Sequence, residues 1–290
     1  MSSSRENIES TGLNPSYVTG FADGEGCFRI DIHKNSKLKS GWEVILSFSI
    51  NLHIKDKSLL ERIRLYFGKG QINEAKGKNS CILQIRSIKD LIVVIDHFNK
   101  YPLISQKHAD YLIFLSAYEI IKSKNHLTPE GLNTLLELKS SSNLGLPAEL
   151  KSYHSDIVPA IRPLISKSEI IDPNWLVGFV EGEGNFLIKI SKSNTTKLGY
   201  QVLLVFQIGL HSRDSLLLKN LVEYLGCGTF REYPEKSVCY FTISSYNDIV
   251  TKLIPMFDKY PLQGAKYQDF IEFKQVAELM QNKAHLTEKG

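Results

Sequence analysis

Hydrophobic and polar residues alternate from position 27 onward: Phe28, Ile30 and Ile32 fall on one side, and Cys27, Arg29, Asp31 and His33 on the other. A period of two predicts a half-buried strand. After a turn-like stretch at 34–41, Val44, Leu46, Phe48 and Ile50 alternate with Glu43, Ile45, Ser47, Ser49 and Asn51, which makes a hairpin. The period then changes to that of an amphipathic helix over Lys57–Phe67, ended by a glycine. Shorter strands are predicted at 70–73 and 81–86, and helices at 90–97 and 106–122. Upstream, Asn14 is a good N-cap and Pro15 suits a first helical position, so a helix begins there and runs to about Gly26.

The same pattern returns. The run Tyr17-Val-Thr-Gly-Phe-Ala-Asp-Gly-Glu-Gly-Cys-Phe-Arg-Ile30 recurs 158 residues later as Trp175-Leu-Val-Gly-Phe-Val-Glu-Gly-Glu-Gly-Asn-Phe-Leu-Ile188. At that shift Asn14-Pro15 matches Asp172-Pro173, Phe48 matches Phe206, His53 matches His211, and Asp56 matches Asp214. Tyr101-Pro102-Leu103 and His126-Leu127-Thr128 return as Tyr260-Pro261-Leu262 and His285-Leu286-Thr287, one residue out of step. Residues 13–128 and 171–287 are therefore two copies of one domain. The 129–170 segment, with its serines and Pro147, Pro159 and Pro163, is a linker made partly helical by 131–139. The second copy predicts a hairpin of Phe186, Ile188 and Ile190 against Val202, Leu204, Phe206 and Ile208. A helix follows over Ser215–Leu225, then strands Thr229–Tyr233 and Val238–Ile243, then helices at 247–257 and 265–281. The class is α+β, each copy an antiparallel sheet with one face under helices and one polar face left open.

In the repeated helix, Gly20 and Gly24 lie four apart, as do Gly178 and Gly182. Each costs roughly 1 kcal/mol against alanine in a helix interior, a cost explained if the two helices pack backbone to backbone along these faces. Glu25 and Glu183 then stand at the feet of those helices. Two acids brought close repel unless cations neutralise them. Hard ions such as Mg²⁺ take such oxygen-rich surroundings, and two-metal chemistry on phosphate requires them. Asp23 and Glu181, two positions earlier, face elsewhere and read as structural acids that cap or hydrogen-bond at the helix foot, with a direct catalytic role as the alternative.

Composition narrows the choice. The chain has 290 residues, 42% hydrophobic and 23% charged, which is ample for two cores and excludes a disordered or collagen-like chain. A net charge of +4 is only a weak sign of an anionic partner. Its apolar runs, such as 91–95, are too short to span a bilayer. Residues 1–6 read as neither signal peptide nor organellar presequence. Cys27, Cys81, Cys227 and Cys239 lack zinc-knuckle spacing and suit a reducing compartment.

Residues 18–26 and 176–184, with glycine at the third and ninth positions and an acid at the eighth, resemble the signature of the LAGLIDADG homing endonucleases in their single-chain, two-repeat form, closest to fungal mitochondrial intron-encoded members. The family commonly has Asp at the eighth position; this chain has Glu twice. The resemblance implies αββαββα per half, sheets forming a saddle on double-stranded DNA, and a monomer located in the mitochondrion. It also implies a target of about twenty base pairs cut on both strands with four-base 3′ overhangs. Glu25 and Glu183 become the metal ligands, joined by the main-chain carbonyls of Gly24 and Gly182. Mg²⁺ is the expected cofactor, with Mn²⁺ able to substitute and Ca²⁺ supporting binding without efficient cleavage. Lys107 and Lys266, repeated in 106–110 and 265–269, are the candidates to complete the charge, with phosphate anchor or ordinary helix lysine as the alternatives.

Base reading falls to the outward strand positions, since a two-stranded ribbon fits the major groove. In the first copy these are Cys27, Arg29, Asp31, His33, Glu43, Ile45, Ser47, Ser49, Asn51, Gln71, Asn73, Gln84 and Arg86. In the second they are Asn185, Leu187, Lys189, Ser191, Gln201, Leu203, Gln207, Thr229, Arg231, Tyr233, Tyr240 and Thr242. Ile45, Leu187 and Leu203 suit thymine methyls. Lys34, Lys37, Lys39, Lys76, Lys78, Lys192, Lys197 and Lys236 in the loops face phosphates. The alternative on the same fold is an intron RNA maturase or a non-cleaving nucleic-acid-binding protein.

Overall fold

Each repeat builds the same layers in the same order. The computed structural model describes residues 12–143, 145–166, 169–170 and 172–287. Residues 1–6 and the expected second-repeat boundary at Ile171 lie outside the described residues. Helix α1 (Pro15–Glu25) leads into strands β1 (Gly26–Lys34) and β2 (Trp42–His53), helix α2 (Lys57–Phe67), strands β3 (Gln71–Glu74) and β4 (Ser80–Ile85), and helices α3 (Ile88–Lys100) and α4 (Lys107–Lys122). The linker carries α5 (Pro129–Ser141) and α6 (Ala148–Tyr153). The second copy gives α7 (Pro173–Glu183), β5 (Gly184–Lys192), β6 (Tyr200–His211), α8 (Ser215–Leu225), β7 (Thr229–Tyr233) and β8 (Val238–Ile243). It ends with α9 and α10 (Lys266–Gln281), α9 running as Tyr246–Asp248, a π-helical stretch Ile249–Leu253, and Ile254–Lys259. The π stretch departs from the expected plain helix. Pro255, just beyond it, has no N–H to donate, and its ring displaces the preceding turn.

The chain divides into two units, one of residues 1–15 and 25–167, the other of residues 16–24 and 168–290. In the first, the antiparallel sheet has the order β1-β2-β4-β3. Phe28 is ringed by Phe48, Phe98, Tyr111 and Phe114 at centroid distances of 5.2–5.5 Å, joining sheet to α3 and α4. Edge and tilted contacts of this kind are the favoured ones for aromatic rings. In the second unit the order is β5-β6-β8-β7, and Phe186 holds Phe206, Phe257, Phe270 and Phe273 in the same way.

One expectation needs correction: the inner face of the second sheet is not helix-covered along its whole length. Ile30 and Ile32 are buried, at 3% and 5% exposure, whereas their counterparts Ile188 and Ile190 are 38% and 66% exposed. The linker accounts for part of the difference. It turns back on the tip of the first hairpin, with Trp42 against Tyr153 and His154 at 5.6 and 5.1 Å and the Lys34 ammonium over the Tyr153 ring. Tyr200, which stands where Trp42 does, is more than half exposed.

Candidate active site and nucleic-acid interface

Helix α1 packs on α7 within the second unit, and the contact follows from the glycines. A Cβ on Gly20 would overlap the carbonyl oxygen of Trp175, and one on Gly178 would overlap that of Tyr17. Only hydrogen at these positions lets the backbones meet. Asp172 caps α7 by accepting from the Asn174 amide at 2.8 Å. The acids two positions before the metal-ligand candidates are structural. The Trp175 indole N–H donates to Asp23 at 2.8 Å. The Tyr17 hydroxyl donates to Glu181 at 3.3 Å, and the Gln263 amide donates to the same oxygen at 2.6 Å. Both acids are buried, and each such charge-assisted bond stabilises by about 1.5–3 kcal/mol. The sequence carried a signal for this pairing: the two aromatics, each bearing one donor, occupy equivalent places in the repeat.

At the helix feet the polar atoms converge. A Cβ built on Gly24 would stand 3.4 Å from Glu183 Cγ and from the Gly182 Cα, and 3.8 Å from Glu183 Oε1. The absent side chain leaves room for that carboxylate beside the α1 backbone, and Glu25 is the next residue. The Lys266 ammonium donates to the carbonyls of Val180 and Gly182 at 3.0 and 3.1 Å, where the dipole at a helix C-terminus favours a cation. Lys266 thus touches the Gly182 oxygen expected to ligate metal. Among the described residues no three His, Cys, Asp or Glu side chains come together. The donors at hand are one carboxylate and main-chain oxygens, an all-oxygen set that fits a hard divalent ion whose remaining ligands come from elsewhere.

On the open face of the first sheet the register sets Cys27, Ser49, Gln84 and Gln71 in one row and Asn51, Ile82 and Asn73 in the next. Ile82 is an outward position that the alternation did not single out. Ser47 and Ser49 share this face but are buried, at 0% and 5% exposure. They are short side chains on a central strand, Ser47 opposite Arg29 and Ser49 between Cys27 on one side and Gln84 on the other. The other expected reading and loop positions are all at least partly exposed. Some are already engaged: Arg29 pairs with Asp31 at 3.2 Å, and Glu43 accepts from Asn35.

On the second sheet, Gln207, Thr229, Arg231, Tyr233, Lys236, Tyr240 and Thr242 line one cleft of about 480 Å³, joined by Val238 and Ser244. Gly209 forms part of its setting. A Cβ there would come within 2.7 Å of the Tyr240 ring, so the glycine lets Tyr240 lie against the sheet with Tyr233 edge-on at 5.9 Å. Gly209 and the buried Val205 face outward in register but escaped the pattern, the one for having no side chain and the other for being apolar.

The paired glycine helices, the acids at their feet and two four-stranded sheets with open polar faces define a class. Residues 18–118 and 176–277 match the model of the LAGLIDADG endonuclease family. The chain belongs to that family, as a single chain with two repeats. It is 40% identical over 280 residues to "Probable intron-encoded endonuclease 3" of Neurospora crassa, covering 96% of this chain and 52% of that protein. It is equally identical over 291 residues to "Probable intron-encoded endonuclease 2" of the same fungus, covering 63% of it. The chain thus spans between half and two thirds of these two relatives. Its fold superposes on the LAGLIDADG homing endonuclease I-SmaMI bound to cleaved DNA with a TM-score of 0.93 at 41% identity, covering 96% of this chain and 93% of that one. I-SmaMI has also been solved on uncleaved DNA with calcium ions, and as single and double lysine-to-alanine variants.

Proposed function

We propose that this protein is a site-specific endonuclease that hydrolyses one phosphodiester in each strand of a double-stranded DNA target of about twenty base pairs, leaving four-base 3′ overhangs. Its two working halves are residues 13–128 and 171–287, joined by the 129–170 linker. The observation that carries the reading is the helix foot, where Glu183 lies beside the Gly24 backbone and Lys266 lies on the Gly182 carbonyl. Glu25 and Glu183, with the carbonyls of Gly24 and Gly182, would hold Mg²⁺. When bound, the ion supplies positive charge at the scissile phosphate and the leaving 3′ oxygen. Lys107 and Lys266 add fixed positive charge to the phosphate. The two lysines replaced in the I-SmaMI variants are separated in that chain by the same number of residues as Lys107 and Lys266. The strands and the second-sheet cleft read base edges, and the loop lysines meet the backbone. Intron-encoded relatives support a mitochondrial location.

Glu25→Gln and Glu183→Gln keep side-chain volume but remove the charge a divalent ion requires. Either change should sharply reduce cutting of at least one strand in Mg²⁺. Affinity for the target in Ca²⁺ should fall less than about tenfold, because affinity comes from the strand and phosphate interface. A strand-resolved time course beside a binding titration checks this. Unchanged cutting of both strands by the double variant would refute the mechanism, and a wild type that binds DNA or RNA without cutting would favour the maturase class.

A further inference from the structure

We propose that Arg162, in the linker, is a positioning residue for Lys107, so that one of the two strand cuts depends on the segment joining the repeats. The proposal rests on the reading of Lys107 as part of the cleavage site and adds a device that controls it in one half only.

The linker is fastened to the start of α4 by a dense set of bonds. The Arg162 guanidinium grips Asp110 with two parallel bonds, to Oδ1 at 2.8 Å and Oδ2 at 3.1 Å. The same group donates to the carbonyls of Ser141 at 3.1 Å and Gln106 at 3.4 Å. Asp110 also accepts from the Asn143 amide at 3.0 Å, and the Gln106 side chain donates to the Ile165 carbonyl at 3.1 Å. A forked guanidinium–carboxylate pair fixes direction as well as distance. Here it is shielded, with only 12% of the Asp110 side chain exposed. Lys107 sits between the two anchored residues, directly after Gln106 and three before Asp110, on the helix turn whose orientation the clamp sets.

Among the described residues the second half shows no such clamp. Ala265 stands where Gln106 does and offers no side-chain donor, and Asp269, the counterpart of Asp110, is exposed. Lys266 donates to the carbonyls of Val180 and Gly182. The linker's bonds therefore fix the turn that carries Lys107, whereas neither Ala265 nor the exposed Asp269 offers the same forked clamp beside Lys266.

The test uses the full chain and a cognate duplex labelled on each strand, in Mg²⁺. Lys107→Ala and Lys266→Ala first identify the strand each lysine serves. Arg162→Lys keeps the charge but cannot make the forked pair. It should slow the strand served by Lys107 about tenfold and the other less than twofold, since misplacement of about 1 Å at a reacting centre can cost up to a hundredfold. Asp110→Asn should do the same, which guards against a fold defect specific to one variant. Melting temperature and Ca²⁺-supported affinity serve as folding controls. Adding Arg162→Lys to Lys107→Ala should slow that strand no further, because a residue acting through Lys107 has nothing left to position. Equal slowing of both strands, or no slowing while Lys107→Ala remains strand-selective, overturns the proposal. If Lys107→Ala itself spares both strands, the underlying reading of Lys107 fails and the positioning role falls with it.

Discussion

His97 shows what burial does to a single titratable side chain. It lies in the first unit, 7% exposed, its Nδ1 3.0 Å from the Tyr66 hydroxyl and its ring edge-on to Phe67 and Phe98. Desolvation pushes its pKa down to about 3 from the ordinary 6.5 of an imidazole. The folded state therefore keeps the ring neutral while the unfolded chain takes up a proton below pH 6.5. The stability linked to this group is fully present above that pH and is lost as pH falls toward 3, at up to about 1.4 kcal/mol per unit. Denaturant unfolding at pH 7, 6, 5 and 4 should show His97→Gln losing less stability on acidification than the parent, with the carboxylates common to both cancelling in the difference. Parallel curves would place the acid sensitivity elsewhere. At this scale the sequence told residue types but not partners. Asp23 and Glu181 were legible as structural acids, whereas their indole and phenol donors lie over 150 residues away and needed the helix crossing to bring them near.

The two first hairpins, alike in pattern, differ in what covers them. Ile32 is buried and Ile190 is mostly exposed, so equal truncations should have unequal costs. Ile32→Ala should destabilise by about 2–5 kcal/mol, and Ile190→Ala should stay within about 0.5 kcal/mol. Urea midpoints of the two variants check this, and equal costs would mean Ile190 is covered in solution. Elements with a strong period were readable to the residue, as α2, α8, β7 and β8 show. The misses have physical causes. Helix α6 is only six residues long, too short to display a period, and lies in a serine- and proline-rich stretch that reads as turn. The π stretch needed Pro255 to be weighed as a displaced hydrogen bond inside an otherwise helical pattern.

For the whole molecule, the placement of charge matters more than its sum. The net charge is only +4, yet the loops at 34–41, 75–79 and 192–199 together hold seven lysines and no acid. On DNA, each phosphate neutralised contributes about −0.9 to the slope of log K against log salt, so engagement of five to seven of these lysines predicts a slope of roughly −4.5 to −6. A titration of cognate DNA across a salt series in Ca²⁺ measures it. A slope shallower than about −2 would mean that the loops do not carry the affinity. Duplication was the feature most legible in the sequence, because matched residues keep register over more than a hundred positions. The reading surface was less so: alternation finds a face, but it cannot show that Ser47 is buried or that Gly209 makes space.

The crossed pairs at the helix contact bear on inheritance. Trp175 meets Asp23 and Tyr17 meets Glu181, a larger ring with the shorter acid and a smaller ring with the longer one. Copying one half of the gene over the other would set Trp175 against Glu181, or Tyr17 against Asp23, and mis-size both contacts at once. Recombination that homogenises duplicated sequences is thus penalised at the protein's own seam. The halves stay distinct, free to drift apart on their open faces, where Asn73 already answers to Arg231 and Ile82 to Tyr240.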